Sequence, residues 1–71
     1  MTNEHAEKII DESISDLAQI ISRGASWETR EREGAYIHGL LTGMYFGDIL
    51  SALEYSEQCT RLRKINYGEE H

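Results

Sequence analysis

The sequence has no proline, one cysteine, and only seven basic residues against thirteen acidic ones. The lone Cys59 excludes an internal disulfide. Small secreted domains tend to be rich in cystine, so a single thiol points to a reducing compartment. Long hydrophobic runs are missing too. The longest stretch without a formal charge is Gly34 to Gly47, and it contains His38 and Thr42. A membrane-spanning helix needs roughly 20 predominantly apolar residues, so no membrane partner is expected. No basic start leads into an apolar run, the pattern of a secretory signal. The expectation is a cytoplasmic protein. A net charge of −6 argues against a broad nucleic-acid-binding surface, which needs clustered positive charge. It is compatible with a partner that presents a basic surface, although solubility alone also accounts for an acidic small protein.

The 71 residues make one domain, 1–71. A core this small rarely supplies more than about 3–5 kcal/mol of net stability without a disulfide, a metal or oligomerisation. Repeats and low-complexity segments are absent. Without proline, the punctuation between elements falls to glycine and polar caps.

Three helical patterns follow, over about 4–23, 27–46 and 52–66. Thr2 or Asn3 can cap the first, with Glu4 and Glu7 near the positive end of its dipole. Ile10, Ile14, Leu17 and Ile21 form its apolar stripe, widened by Ala6, Ile9, Ala18 and Ile20. Gly24 is a left-handed stop. Ser26 is placed to cap the second helix, whose first turns carry Glu28, Arg30, Glu31, Arg32 and Glu33. Beyond Gly34, Tyr36, Ile37, Leu40, Leu41 and Met44 make a broad apolar face, spread further round by Tyr45 and Phe46. The third start is the best signalled. Ser51 and Glu54 fit a capping box, and Leu50 and Tyr55 a hydrophobic staple. Tyr55, Cys59, Leu62 and Ile65 face inward, Arg61, Arg63 and Lys64 lie near the negative end, and Gly68 stops the helix. Glu69 to His71 are expected to fray. The short turn from Gly47 to Ser51 predicts an αα-hairpin of helices two and three.

Ala35, Gly39, Gly43 and Gly47 recur every four residues, a ridge of small residues along the second helix. Gly34 and Gly47 can be read as a break and a stop. Gly39 and Gly43 are interior, where each costs about 1 kcal/mol of helix propensity relative to alanine. That cost is offset when the missing side chain lets another backbone come close. The neighbour is either the first helix or a second copy of the chain. Between Ala35 and Phe46 only His38 and Thr42 are distinctly polar, so this helix is expected to be covered on more than one side. A homodimer follows, with Ala35, Gly39, Leu40, Gly43, Met44 and Gly47 as the packing surface.

Catalytic and ligand-binding patterns are missing. Cys59 lacks the local signature of a nucleophile, and no nucleophile elbow is present. His5, His38, His71 and Cys59 have no metal-ligand spacing, and the glycines lie within a helix rather than in a phosphate-binding loop. No cofactor, metal or catalytic residue is assigned, and an enzyme is not expected. A helix-turn-helix reading fails because the third helix opens with Glu54 and Glu57, whose carboxylates would meet phosphate. One charged feature stands out. Glu4, Glu12 and Asp16, with Lys8 between them, follow one ridge of the first helix, and Glu7 and Asp11 lie beside it. The ridge is either a solvated face or an acidic strip, Glu4, Asp11, Glu12 and Asp16, that docks on a basic protein surface.

The run EGAYIHGLLTGMYFGDILSALEYSEQCTRL, Glu33 to Leu62, resembles a recurrent style of small bacteriophage and prophage accessory protein. In that style a glycine-containing apolar helix ends at a glycine, and an I-L-S turn leads into an acidic, tyrosine-bearing helix. The resemblance implies a small cytosolic protein of a mobile element that binds something of its host. Inhibitors of CRISPR or restriction systems are among such proteins. The expected molecule is therefore an all-α, three-helix homodimer that acts as a non-enzymatic inhibitor or adaptor. Its expected target is a host nucleic-acid-handling protein. The alternative is a structural oligomerisation module.

Overall fold

The computed structural model describes residues 3–68. Thr2, the alternative first cap, and the Glu69–His71 tail lie outside the described residues. The chain forms α1 (Glu4–Ser22), α2 (Trp27–Phe46) and α3 (Ala52–Tyr67), and every pair of helices is in contact. The all-α reading holds. The helices match the expected spans except that α1 ends one residue early and α3 one residue late.

Each helix begins where a short polar side chain can satisfy a free backbone N–H. Asn3 Oδ1 accepts from Ala6 N–H at 3.0 Å, and Ser26 Oγ accepts from Thr29 N–H at 3.1 Å. At α3 the box is complete. Ser51 Oγ accepts from Glu54 N–H at 3.1 Å, and Glu54 Oε1 accepts from Ser51 N–H at 2.8 Å.

The first two helices end in the same six-residue device, in which the two amides after the cap reach back to carbonyls of the last turn. After α1, Gly24 takes the left-handed position (φ +89°) and Ala25 N–H reaches Ile20 O at 3.0 Å. After α2 the expected stop, Gly47, is only the cap, with φ −88°. The left-handed residue is Asp48 (φ +63°), and Ile49 N–H reaches Met44 O at 2.8 Å. Aspartate is among the few residues that visit this region readily. Gly68 closes α3 at φ +59°.

The core is the α1 stripe Ala6, Ile10, Ile14 and Leu17 set against Ile37, Leu41 and Met44 of α2, with Leu50 and Leu62. Leu41 is fully buried, at 0% exposure. Ala18, placed on the stripe by its spacing, is exposed. Asp11 joins α1 to α3 through Arg61 Nη1 at 2.7 Å.

α2 and α3 are tied at both ends. At one, Tyr45 stacks on Tyr55 with ring centres 4.8 Å apart, and the Tyr55 hydroxyl lies 3.0 Å from Thr42 Oγ1. At the other, Trp27 packs on Tyr67 at 5.3 Å and the Arg30 guanidinium lies 5.0 Å over the Trp27 ring. Arg30 Nη2 also donates to the Asn66 carbonyl. That carbonyl belongs to the last turn of α3, where no intrahelical partner exists.

Gly34 explains how this end closes. It does not break α2, which runs through it as a buried helical residue. Asn66, 4% exposed, packs against it, and a Cβ on Gly34 would stand 2.6 Å from Asn66 Nδ2. The glycine that admits a neighbour within the chain is therefore Gly34, outside the four-residue ridge.

Two predictions follow from these contacts. Gly34→Ala gains about 1 kcal/mol of helix propensity but overpacks Asn66, a fault that typically costs about 1–3 kcal/mol. A net loss of up to about 2 kcal/mol is expected in denaturant melts. In an Asn66→Ala background the same substitution should become stabilising. An unchanged sign would show that Asn66 is not the obstacle.

Ser51→Ala should cost about 0.5–2 kcal/mol. The Ser51 N–H bonded to the Glu54 carboxylate holds that group below its ordinary value of 4.5. Stability from a depressed carboxylate is present above the unfolded value and is lost as pH falls through the folded one. Acid melts below about pH 4.5 should therefore be less pH-sensitive in Glu54→Gln than in the wild type. Parallel acid profiles would remove this bond from the account.

Candidate interaction surfaces

Three surfaces offer chemistry to another molecule. The first is the outer face of α2. Ile37, Leu41 and Met44 fill its inward arc, with Leu40 half-buried beside them. Ala35, Gly39, Gly43 and Gly47 are all exposed on the other side. A Cβ built on Gly39 or Gly43 would meet nothing within 4 Å. The first helix is thus ruled out as the neighbour of these glycines. The structure also divides the expected packing set. Met44 is a core residue at 8% exposure, whereas the ridge faces away from the core. Two aromatic rings bracket the ridge, Tyr36 at 67% exposure and Phe46 at 77%. Sequence periodicity places both on the apolar face without revealing that they point outward.

The second surface is the outer face of α1. Glu4, Glu7, Glu12 and Asp16 are exposed, with Lys8 as the single lysine or arginine of the helix. Asp11 departs from the expected strip, since its carboxylate is held by Arg61. The other four carboxylates have no ion-pair partner among the described residues. Five acids against one lysine give α1 most of the net negative charge of the chain.

The third is a groove of about 450 Å³ between α2 and α3. Gly34, against which Asn66 packs, forms part of its wall. Ala35, His38, Cys59, Leu62 and Asn66 line it, with Glu31 and Arg63 among its charged residues. His38 and Cys59, far apart in sequence, come to one place here. His38 Nε2 is turned to the Tyr55 hydroxyl at 3.4 Å, and no hydrogen bond orients it towards the thiol. Asn66 Oδ1 and Arg30 Nε are buried without a hydrogen-bond partner among the described residues. Sequence reasoning missed both residues. A lone asparagine four residues after Leu62 was the available signal, since it continues the inward stripe of α3.

Among the described residues no group of three histidine, cysteine or carboxylate side chains is placed to hold a metal ion. None of the described helices is long and apolar enough to cross a membrane. No family model, curated protein or solved structure matches the chain.

The open ridge generates a prediction. In dilute protein Gly39→Ala and Gly43→Ala should each stabilise the chain by about 1 kcal/mol, because helix propensity rises and nothing is struck. Denaturant melts at low concentration measure this. Destabilisation there would mean that the space beside the ridge is filled even in the single chain.

Proposed function

We propose that the protein is a non-enzymatic binding module, an inhibitor or adaptor whose acidic α1 face docks on the basic surface of a partner protein. The observation that carries this reading is the set of exposed carboxylates Glu4, Glu12 and Asp16 on one helix, which have no ion-pair partner among the described residues. Clustered charge of one sign steers association with a surface of the other sign and disfavours like-charged partners. Proteins that grip nucleic acid offer such basic surfaces. Together with the resemblance to phage accessory proteins, this directs the proposal to a host nuclease or CRISPR-type defence protein in the cytoplasm.

A second reading is favoured by a separate observation. The exposed ridge of α2 leaves two interior glycines uncompensated within the chain. We propose that the protein self-associates through this face, as a dimer in which the α2–α3 hairpin is the scaffold. Self-association alone, with no docked partner, would make the chain a structural oligomerisation module.

The deciding measurement is affinity capture from a bacterial host lysate followed by mass spectrometry. The wild type should recover a nucleic-acid-handling protein. Glu12→Lys/Asp16→Lys should keep its melting temperature and bind that protein roughly tenfold or more weakly, the sum of several exposed pairs of about 0.2–1 kcal/mol each. Added salt should weaken the wild-type complex as well, since exposed charges are screened beyond roughly 8 Å at physiological ionic strength. Recovery of the bait alone favours the structural module. A complex indifferent to charge reversal and salt overturns the acidic docking face.

A further inference from the structure

The groove between α2 and α3 holds a polar side chain that its surroundings leave unmet. Asn66 lines the groove, yet only 4% of it is exposed. Its Oδ1 has no hydrogen-bond partner among the described residues. A buried acceptor without a donor carries a cost that an apolar side chain of the same shape would not. The last torsion of an asparagine side chain is soft, so a small turn of the amide carries Oδ1 to a donor in the groove. An N–H of an occupant is such a donor.

The charges around Asn66 say what kind of N–H. Gly34 touches the Asn66 side chain and Arg30 donates to its carbonyl, so Asn66 stands beside the first turns of α2. Glu31, on that same stretch, lines the groove from the α2 side. Arg63 lines it from α3. Arg63 precedes Asn66 by one turn, about 4.5 Å along the helix. Glu31 and Arg63 are both exposed, and neither has an ion-pair partner among the described residues. Two opposite charges therefore border one groove without joining across it. The acceptors, Glu31 and Asn66 Oδ1, belong to one end, and the cation to the next turn. Ala35 and Leu62 give the groove its apolar wall. Its volume of about 450 Å³ is in the range of small-molecule clefts.

We propose that this groove binds a small zwitterion of the α-amino-acid class. Its ammonium sits between Glu31 and Asn66 Oδ1, its carboxylate on Arg63, and an apolar side chain against Ala35 and Leu62. An ammonium has three donors and no acceptor, so it suits a place that offers two acceptors. A guanidinium matches a carboxylate with two parallel N–H donors, and hydrogen bonds between ionised groups are the strong ones. An occupant with one charge would face either Glu31 or Arg63 with the same sign, which is repulsive. A simple anion or cation is disfavoured for that reason. The site is independent of the acidic face of α1 and of any partner docked there.

The test is two-dimensional NMR of the full chain, with L-leucine, its methyl ester and N-acetyl-L-leucine as matched probes. The ester lacks the carboxylate charge, and the acetylated compound lacks the ammonium. Titration to about 10 mM detects a dissociation constant of about 1 mM or tighter. Leucine should shift the amide signals of Gly34, Ala35, Leu62 and Asn66. Each blocked probe should bind about tenfold or more weakly, because it loses a charge-assisted hydrogen bond. No shift at these residues, or equal binding of the three probes, overturns the proposal.

Two variants assign the contacts. Arg63→Gln changes an exposed side chain and should keep the melting temperature. It should weaken leucine about tenfold and leave the methyl ester unchanged, since the ester has no carboxylate for Arg63 to hold. Equal losses for both probes overturn the zwitterion. Asn66→Leu removes the unmet acceptor, so it should raise the melting temperature of the free protein and lose leucine binding. A folded Asn66→Leu protein that binds leucine like the wild type overturns the site. Should that variant not fold, the Arg63→Gln comparison decides.

Discussion

Three helices enclose one interior, and that constraint governs the rest of this molecule. α2 meets both α1 and α3 through a single inward arc, centred on the fully buried Leu41. Whatever occupies the inward arc is used once. Apolar and small residues on the remaining arc have nothing left to pack against, because a small domain has no second layer. Tyr36 and Phe46 are exposed for this reason, and so are Gly39 and Gly43. A helix that is apolar most of the way round is more than a three-helix unit can bury.

The two ends of the α2–α3 contact show how little space the interior allows. Asn66 can enter only because Gly34 has no side chain, and its carbonyl then comes within reach of Arg30. The guanidinium in turn lies over Trp27, which packs on Tyr67. Hydrogen bonding, cation–π contact and apolar packing here act on the same few atoms. Loss of Arg30 would leave the Asn66 carbonyl without this partner, and an unmet carbonyl costs more than the net worth of the bond itself. Asp11 and Arg61 add a pair on the α1 side, but both side chains are well exposed, and such pairs contribute little.

The helix starts and the all-α class were legible in the sequence because capping is local. Asn3, Ser26 and Ser51 act on amides three residues away, and no tertiary information is needed to see it. The α1 stripe was legible for a related reason: its apolar residues occupy one side, so periodicity names the core face. α2 defeats that method. Its apolar residues surround the axis, and spacing cannot say which arc is inside, so Met44 and Tyr36 read alike although one is core and the other solvent-facing. A helical glycine is equally mute. Gly34 and Gly43 have the same local conformation and the same propensity cost, and only the tertiary neighbour, Asn66 or empty space, distinguishes them. The strip on α1 was legible as charge but not as free charge, since the Arg61 that holds Asp11 lies 50 residues away in sequence.

The two proposed surfaces do not compete. The glycine ridge points away from the core on α2, whereas α1 packs against the opposite, inward side of that helix. A second copy seated on the ridge leaves the carboxylates of both α1 helices open to solvent. Pairing two chains would then place two acidic faces on one rigid body, and a partner with two basic sites, or a two-fold symmetric partner, would engage both. The gain from such linkage is set by an effective concentration rather than by new contacts, and it vanishes if the spacing of the faces does not match the partner. The orientation of such a pair would therefore matter for more than stability: an antiparallel pair would display its two acidic helices in opposed directions, and a parallel pair would align them.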